Sequence, residues 1–317
     1  MALSIFNSER RVYLALLTLA VGAVLTALLN VFIARAKFND PGGEIAEKRF
    51  WQKKINSAER YDAVFLGDSR CLNGIDPAFL SQALSISAYN GAFSAGGLNK
   101  TIYQHANKQY LKAESTGFRA VILVITPWSM GDSARKNALF HSLQAESAKV
   151  SGASETYLSM LFKSVKMQDI KLLFLGNQTR MVMHDNGWQE RTNRPRAKSQ
   201  KRGLKHFRTL LNNIKFTQDN IDELIEQTQQ WRKQGVRVFA VYPPSISAME
   251  NLEMKELKWD WRDLIRKFEA AGGVFLDVPD RNAYNAYDSI HLNSRDAAKF
   301  SKDLTEQIVQ YLKKTPQ

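Results

Sequence analysis

From Val12 to Ala34 the chain runs for 23 residues, VYLALLTLAVGAVLTALLNVFIA, without a charged side chain. Coiled as a helix this stretch is about 35 Å long, enough to cross a bilayer with some tilt. A secretory signal has a shorter apolar region, about 7–15 residues. A buried helix of a soluble protein rarely stays uncharged around its whole circumference for this length. A retained transmembrane anchor is therefore expected over 12–34, although Ala34-Arg35-Ala36 has the small-x-small form of a cleavage site. Arg10 and Arg11 precede the segment, while Arg35, Lys37, Lys48 and Arg49 follow it. Positive charge thus leaves the orientation open.

The remainder is long enough for one large α/β domain or two modest ones. With 44% hydrophobic and 24% charged residues, the whole chain fits neither a disordered, a collagen-like nor a multi-span membrane composition. A single cysteine, Cys71, excludes an intramolecular disulfide framework and a cysteine-rich metal site. His105, His141, His184 and His206 lack the spacing of metal ligands, and neither a metal nor an organic cofactor is expected. The net charge of +13 points to an anionic neighbour. No zinc-finger or RNA-binding signature accompanies it, so nucleic acid is not an expected partner.

Past a polar linker, short apolar runs alternate with helical patterns. Strands are predicted at 63–66, 86–90, 120–126, 236–242 and 274–278, and helices at 98–111, 221–234, 252–271 and from Ser294, as cap, to about 312. The run AVILVIT at 120–126 is β-branched and wholly apolar, as in a central parallel strand. Strands separated by helices predict a doubly wound, flavodoxin-like, mostly parallel sheet with its reactive edge at the strands' carboxyl ends. The expected division is 1–36 tail and anchor, 37–60 juxtamembrane linker with a short helix, and 61–317 catalytic domain. Residues 133–215 read as an inserted cap with two helix-like pieces and a very basic stretch.

Two segments carry the chemistry. Val64-Phe65-Leu66-Gly67-Asp68-Ser69-Arg70 places a serine directly after a buried strand, on a tight glycine turn opening a helix. Its hydroxyl is exposed there and neighbouring N–H groups are free to hold an oxyanion; the plainer alternative is a helix cap by Asp68 or Ser69. Tyr287-Asp288-Ser289-Ile290-His291-Leu292-Asn293 returns to the same edge after the last strand. A serine needs a base, and a histidine needs a carboxylate to fix its tautomer. Asp288 and His291 supply both, giving Ser69, His291 and Asp288 as the expected triad.

These residues resemble the SGNH/GDSL hydrolase family. Gly67-Asp68-Ser69 looks like its first block and Asp288-Ser289-Ile290-His291 like its last; the likeness covers roughly 61–132 and 216–312. Tyr89 to Gly96 is similar to the second block, whose glycine donates an oxyanion N–H. Gly96 matches by residue type and Ala95 by spacing; an ordinary Gly-rich turn is the alternative. The family's third block, Gly-x-Asn-Asp, is replaced here by Thr126-Pro127-Trp128-Ser129-Met130-Gly131-Asp132, with Ser129 the candidate for the missing asparagine. Loss of one such donor costs about 3–4 kcal/mol of transition-state stabilisation. The departure looks like the membrane-anchored relatives that assist polysaccharide O-acetylation and teichoic-acid D-alanylation. The resemblance implies an SGNH-type three-layer sandwich, single-pass in the inner membrane with its catalytic domain periplasmic. It also implies a polysaccharide or other acyl acceptor and a multi-span acyltransferase as partner. Two alternatives stay open: an esterase or deacetylase acting on a glycan or lipid ester, and a degenerate glycan-binding module.

Tyr242-Pro243-Pro244 at the same edge reads as strand termination or a pocket wall. The basic stretch Arg191, Arg194, Arg196, Lys198, Lys201, Arg202, Lys205, Arg208 reads as a solvated loop, or as a docking surface for an anionic glycan or lipid headgroups. Just before it, Asp185-Asn186-Gly187-Trp188 reads as a tight turn whose tryptophan stacks on a sugar or packs the cap down.

Overall fold

The computed structural model describes residues 12–29, 45, 47–113, 117–149, 181–256, 260–278 and 280–315. Several features read from the sequence lie outside these residues: 30–34 of the apolar segment, the flanking Arg10, Arg11, Arg35 and Lys37, and 150–180 of the insert. Helix α1, Val12–Leu29, is uncharged, spans 18 residues and is long and apolar enough to cross a membrane. It belongs to a different compact unit from the sheet domain, which comprises 43–147 and 179–317.

The domain contains α2 (Glu47–Ile55), β1 (Ala63–Leu66), α3 (Ser69–Gly74), α4 (Ala78–Leu84), β2 (Ala88–Asn90), α5 (Lys100–Gln109) and β3 (Ala120–Val124). Then come α6 (Pro127–Met130), α7 (Asp132–Arg135), α8 (Ala138–Lys149), the ribbon β4 (Met181–Met183) and β5 (Gln189–Arg191), and α9 (Ala197–Leu211). The last part holds α10 (Gln218–Lys233), β6 (Arg237–Val241), α11 (Ser247–Glu256), α12 (Trp261–Ala270), β7 (Val274–Leu276) and α13 (Ser294–Lys314).

The five-stranded sheet is parallel throughout in the order β2-β1-β3-β6-β7, the flavodoxin-like order. The strands' continuous apolar sequences explain it. Ala63, Phe65, Ile122, Val124, Phe239 and Val241 enter one core, while Val64, Leu66, Val121, Leu123, Val238 and Ala240 enter the other. Because side chains alternate along a strand, a run apolar at every position must be covered on both faces. Helices α3, α4 and α13 cover the first face through Leu72, Leu80, Phe300 and Leu304. Helices α5, α8, α10 and α12 cover the second through Ile102, Phe140, Trp231 and Phe268.

Four expectations are corrected. The short helix expected in the 37–60 linker is α2, but it belongs to the domain, where it buries Phe50, Lys54 and Ile55. Of the inserted region, 133–147 and 181–215 belong to the same compact unit as the sheet, with Phe140 of α8 in its core, while 148–149 fall in the other unit. Helix α13 is capped by Asn293, whose side chain accepts from Asp296 N–H, not by Ser294. The basic stretch from 197 is a helix, α9, because Leu204, Phe207 and Leu211 recur on one side and pack inward.

Candidate active site

Every chemical group of interest lies at the carboxyl edge of the sheet. Gly67 follows β1 where only glycine fits: a Cβ there would stand 2.8 Å from Cys71 Cβ and 3.0 Å from the Val124 carbonyl oxygen. Asp68 caps α3, its Oδ1 accepting from Arg70 N–H at 2.8 Å while Thr126 Oγ1 donates to its Oδ2. The cap and the Thr126 bond, which ties the ends of β1 and β3, set Ser69 at the first position of α3, half-buried.

Ser69 Oγ lies 2.7 Å from His291 Nε2, and His291 Nδ1 lies 2.8 Å from Asp288 Oδ2. Asp288 Oδ1 accepts the backbone N–H groups of His291 and Ile290 at 3.0 and 3.3 Å. Tyr287 N–H donates to the His291 carbonyl at 2.9 Å, closing the turn. The imidazole is flanked by Tyr287, stacked at 5.8 Å, and Phe207, edge-on at 6.3 Å. Burial would raise the Asp288 carboxyl, but its hydrogen bonds with His291 and the imidazole's charge outweigh this and hold it below the ordinary value. The structure thus brings together the three residues named from sequence, in the order hydroxyl, imidazole, carboxylate.

The oxyanion candidates separate. Ala95 occupies the left-handed region at φ 52° and is exposed in a tight turn. Gly96 N–H is already given to the Phe93 carbonyl at 3.0 Å, so Gly96 is not a free donor. Phe93 N–H in turn donates to Gly67 O, binding this turn to the loop that carries Ser69. Ser129 is excluded as a stand-in for the asparagine. It is wholly buried, accepts Thr126 N–H at 2.9 Å and forms the capping box of α6. The backbone N–H groups of Ser69 and Ala95 donate to nothing among the described residues.

Sequence reasoning missed three supports. Gly203 of α9 lies so close to the Asp288 backbone that a Cβ would overlap the Asp288 carbonyl oxygen and stand 2.8 Å from Ser289 Oγ. Ser289, between Asp288 and His291, sits at φ 106°, where a side chain is strained, and is wholly buried. Arg70, next to Ser69, forms a buried ion pair with Glu253 at 2.9 Å. Trp128 Nε1 and Tyr242 OH also donate to Glu253, and Arg70 donates to the Pro243 carbonyl at 2.6 Å. The Tyr242-Pro243-Pro244 corner is therefore a carbonyl anchor for Arg70 and Arg281. Trp188 packs inward: it is buried, stacks on His184 and donates to Asn73 O at 3.0 Å.

Among the described residues, no three His, Cys, Asp or Glu side chains cluster as a metal site would. The sequence matches no protein-family model and no curated protein.

Proposed function

We propose that this chain transfers an acyl group through a covalent ester on Ser69, as a member of the SGNH/GDSL type, and that its reaction is O-acetylation of a cell-surface or exported polysaccharide. The observation that carries the acyl-transfer reading is the continuous chain Ser69 Oγ–His291 Nε2 and His291 Nδ1–Asp288 Oδ2. In this mechanism His291 takes the Ser69 proton as Oγ attacks the donor's carbonyl carbon. Asp288 keeps the Nδ1 proton in place and stabilises the imidazolium. The N–H groups of Ser69 and Ala95 hold the oxyanion. His291 then returns the proton to the leaving group, and the acyl-serine remains. An acceptor hydroxyl, deprotonated by His291, attacks the ester and regenerates Ser69.

Helix α1 supports attachment to a membrane. The extracytoplasmic placement, the inner membrane and a multi-span acyltransferase as acyl supplier rest on the family resemblance. The test uses the full chain in nonionic detergent with p-nitrophenyl acetate, followed by intact mass. An acetyl adduct that Ser69→Ala lacks, discharged faster by added oligosaccharide than by water, is the expected result. Discharge by water at the same rate with or without sugar would assign the same triad to an esterase. Absence of an adduct on both proteins would remove the enzymatic reading in favour of a binding module.

A further inference from the structure

Helix α9 has an outer face that the triad does not use. Lys198, Lys201, Lys205 and Arg208 follow at intervals of three, four and three residues, forming one stripe about 15 Å long. All four are exposed, as are Arg194, Arg196 and Arg202 beside them. From Arg191 to Lys215 the chain carries nine Lys and Arg residues and no Asp or Glu. Among the described residues no ion pair neutralises the stripe. Like charges this close repel one another, and no ion pair among the described residues relieves them.

The inner side of the same helix is fully used. Leu204, Phe207 and Leu211 pack with Trp128, Met249, Leu252 and Ile290, and Gly203 meets Asp288. We infer that the outer face of α9 docks a linear anionic polysaccharide bearing repeated carboxylates, and so holds the acyl acceptor beside the triad. That the bound chain is the acceptor rests on the acyl-transfer reading; the binding itself does not. A row of cations roughly 5 Å apart along a helix meets a regularly charged chain charge for charge. An anionic bilayer is disfavoured. A membrane-surface helix keeps its apolar face free for lipid, whereas that of α9 is committed to the interior, leaving Leu210 as its one large exposed apolar residue.

The test measures fluorescent polygalacturonate binding by anisotropy, using the full chain in nonionic detergent. Lys198, Lys201 and Lys205 are changed together to Gln, and a control changes Lys302, Lys313 and Lys314 on α13 to Gln, removing equal charge elsewhere. The stripe variant is expected to bind about tenfold more weakly or worse, the control within about twofold of wild type, and wild-type binding to weaken with salt. Equal losses in both variants would mean net charge alone and overturn the surface, as would unchanged binding in the stripe variant. Wild-type binding to phosphatidylglycerol vesicles but not to polygalacturonate would overturn it in favour of lipid. If a fluorophosphonate labels Ser69 but no glycan binds, this inference falls and the reaction stands. If glycan binds through the stripe but Ser69 never labels, the surface stands and acyl transfer falls.

Discussion

Gly203 of α9 and Asp288 of the triad meet backbone to backbone, leaving no room for even a methyl group between them. In an exposed helix Gly→Ala stabilises by about 1 kcal/mol. At position 203 the sign reverses, because the added carbon displaces either α9 or the carboxylate that orients His291. Gly203→Ala is expected to lower the melting temperature and slow fluorophosphonate labelling of Ser69 by about tenfold or more. Thr209→Ala, on the exposed side of the same helix, is expected to change neither.

Asp288 is held below its ordinary value, so its favourable contribution is complete above the unfolded carboxyl value of about 3.9 and drains away as pH falls through the folded one. The stability difference between wild type and Asp288→Asn, from urea midpoints between pH 3 and 6, is expected to favour wild type at the upper end and shrink at the lower. At neutral pH Asp288→Asn is expected to lose activity by roughly three to four orders of magnitude through a misassigned imidazole tautomer.

The strands were legible because residues such as Val64, Phe65, Val121 and Ile122 are apolar at consecutive positions, and only a sheet covered on both faces buries them all. Ser69, Asp288 and His291 were legible because each follows a strand at the same edge. A short helix was expected near α2, but its burial in the domain was hidden because one of its buried side chains is Lys54, whose charge reads as solvent-facing. Helix α9 was hidden because its cations outnumber the three apolar residues that pin it. Gly96 and Ser129 were misassigned by residue type: whether an N–H or hydroxyl is free depends on its hydrogen-bond partner, here Phe93 O and the Thr126 backbone.

Glu253 is wholly buried against Arg70, with Trp128 and Tyr242 as its other donors. Removing one partner of a buried pair strands the other charge, at a cost of about 3–5 kcal/mol. Glu253→Gln is expected to unfold at markedly lower denaturant and to slow acylation, since Arg70 neighbours Ser69. A double variant, Arg70→Met with Glu253→Gln, is expected to recover part of the lost stability, read from a double-mutant cycle.

Lys54 Nζ donates to Asn90 O and is ringed by Phe50, Tyr89 and Phe93 at 5.0, 5.3 and 5.8 Å. Burial pushes its ammonium down to about 7 against about 10.4 unfolded. Between those values the unfolded chain binds more protons, so this residue's contribution to stability rises with pH, by on the order of 4 kcal/mol in all. Lys54→Met is expected to be more stable than wild type at pH 6, with the gap closing by pH 10 in paired denaturation curves. A gap that stays constant with pH would show that the amine does not titrate in the fold.

Activation of Ser69 as a nucleophile by His291 is tested by fluorophosphonate labelling with peptide mass mapping. On the full chain, a single adduct is expected on the peptide carrying Ser69, absent from Ser69→Ala and strongly slowed in His291→Ala. Labelling at another serine, or at Ser69 with equal speed in His291→Ala, would contradict it.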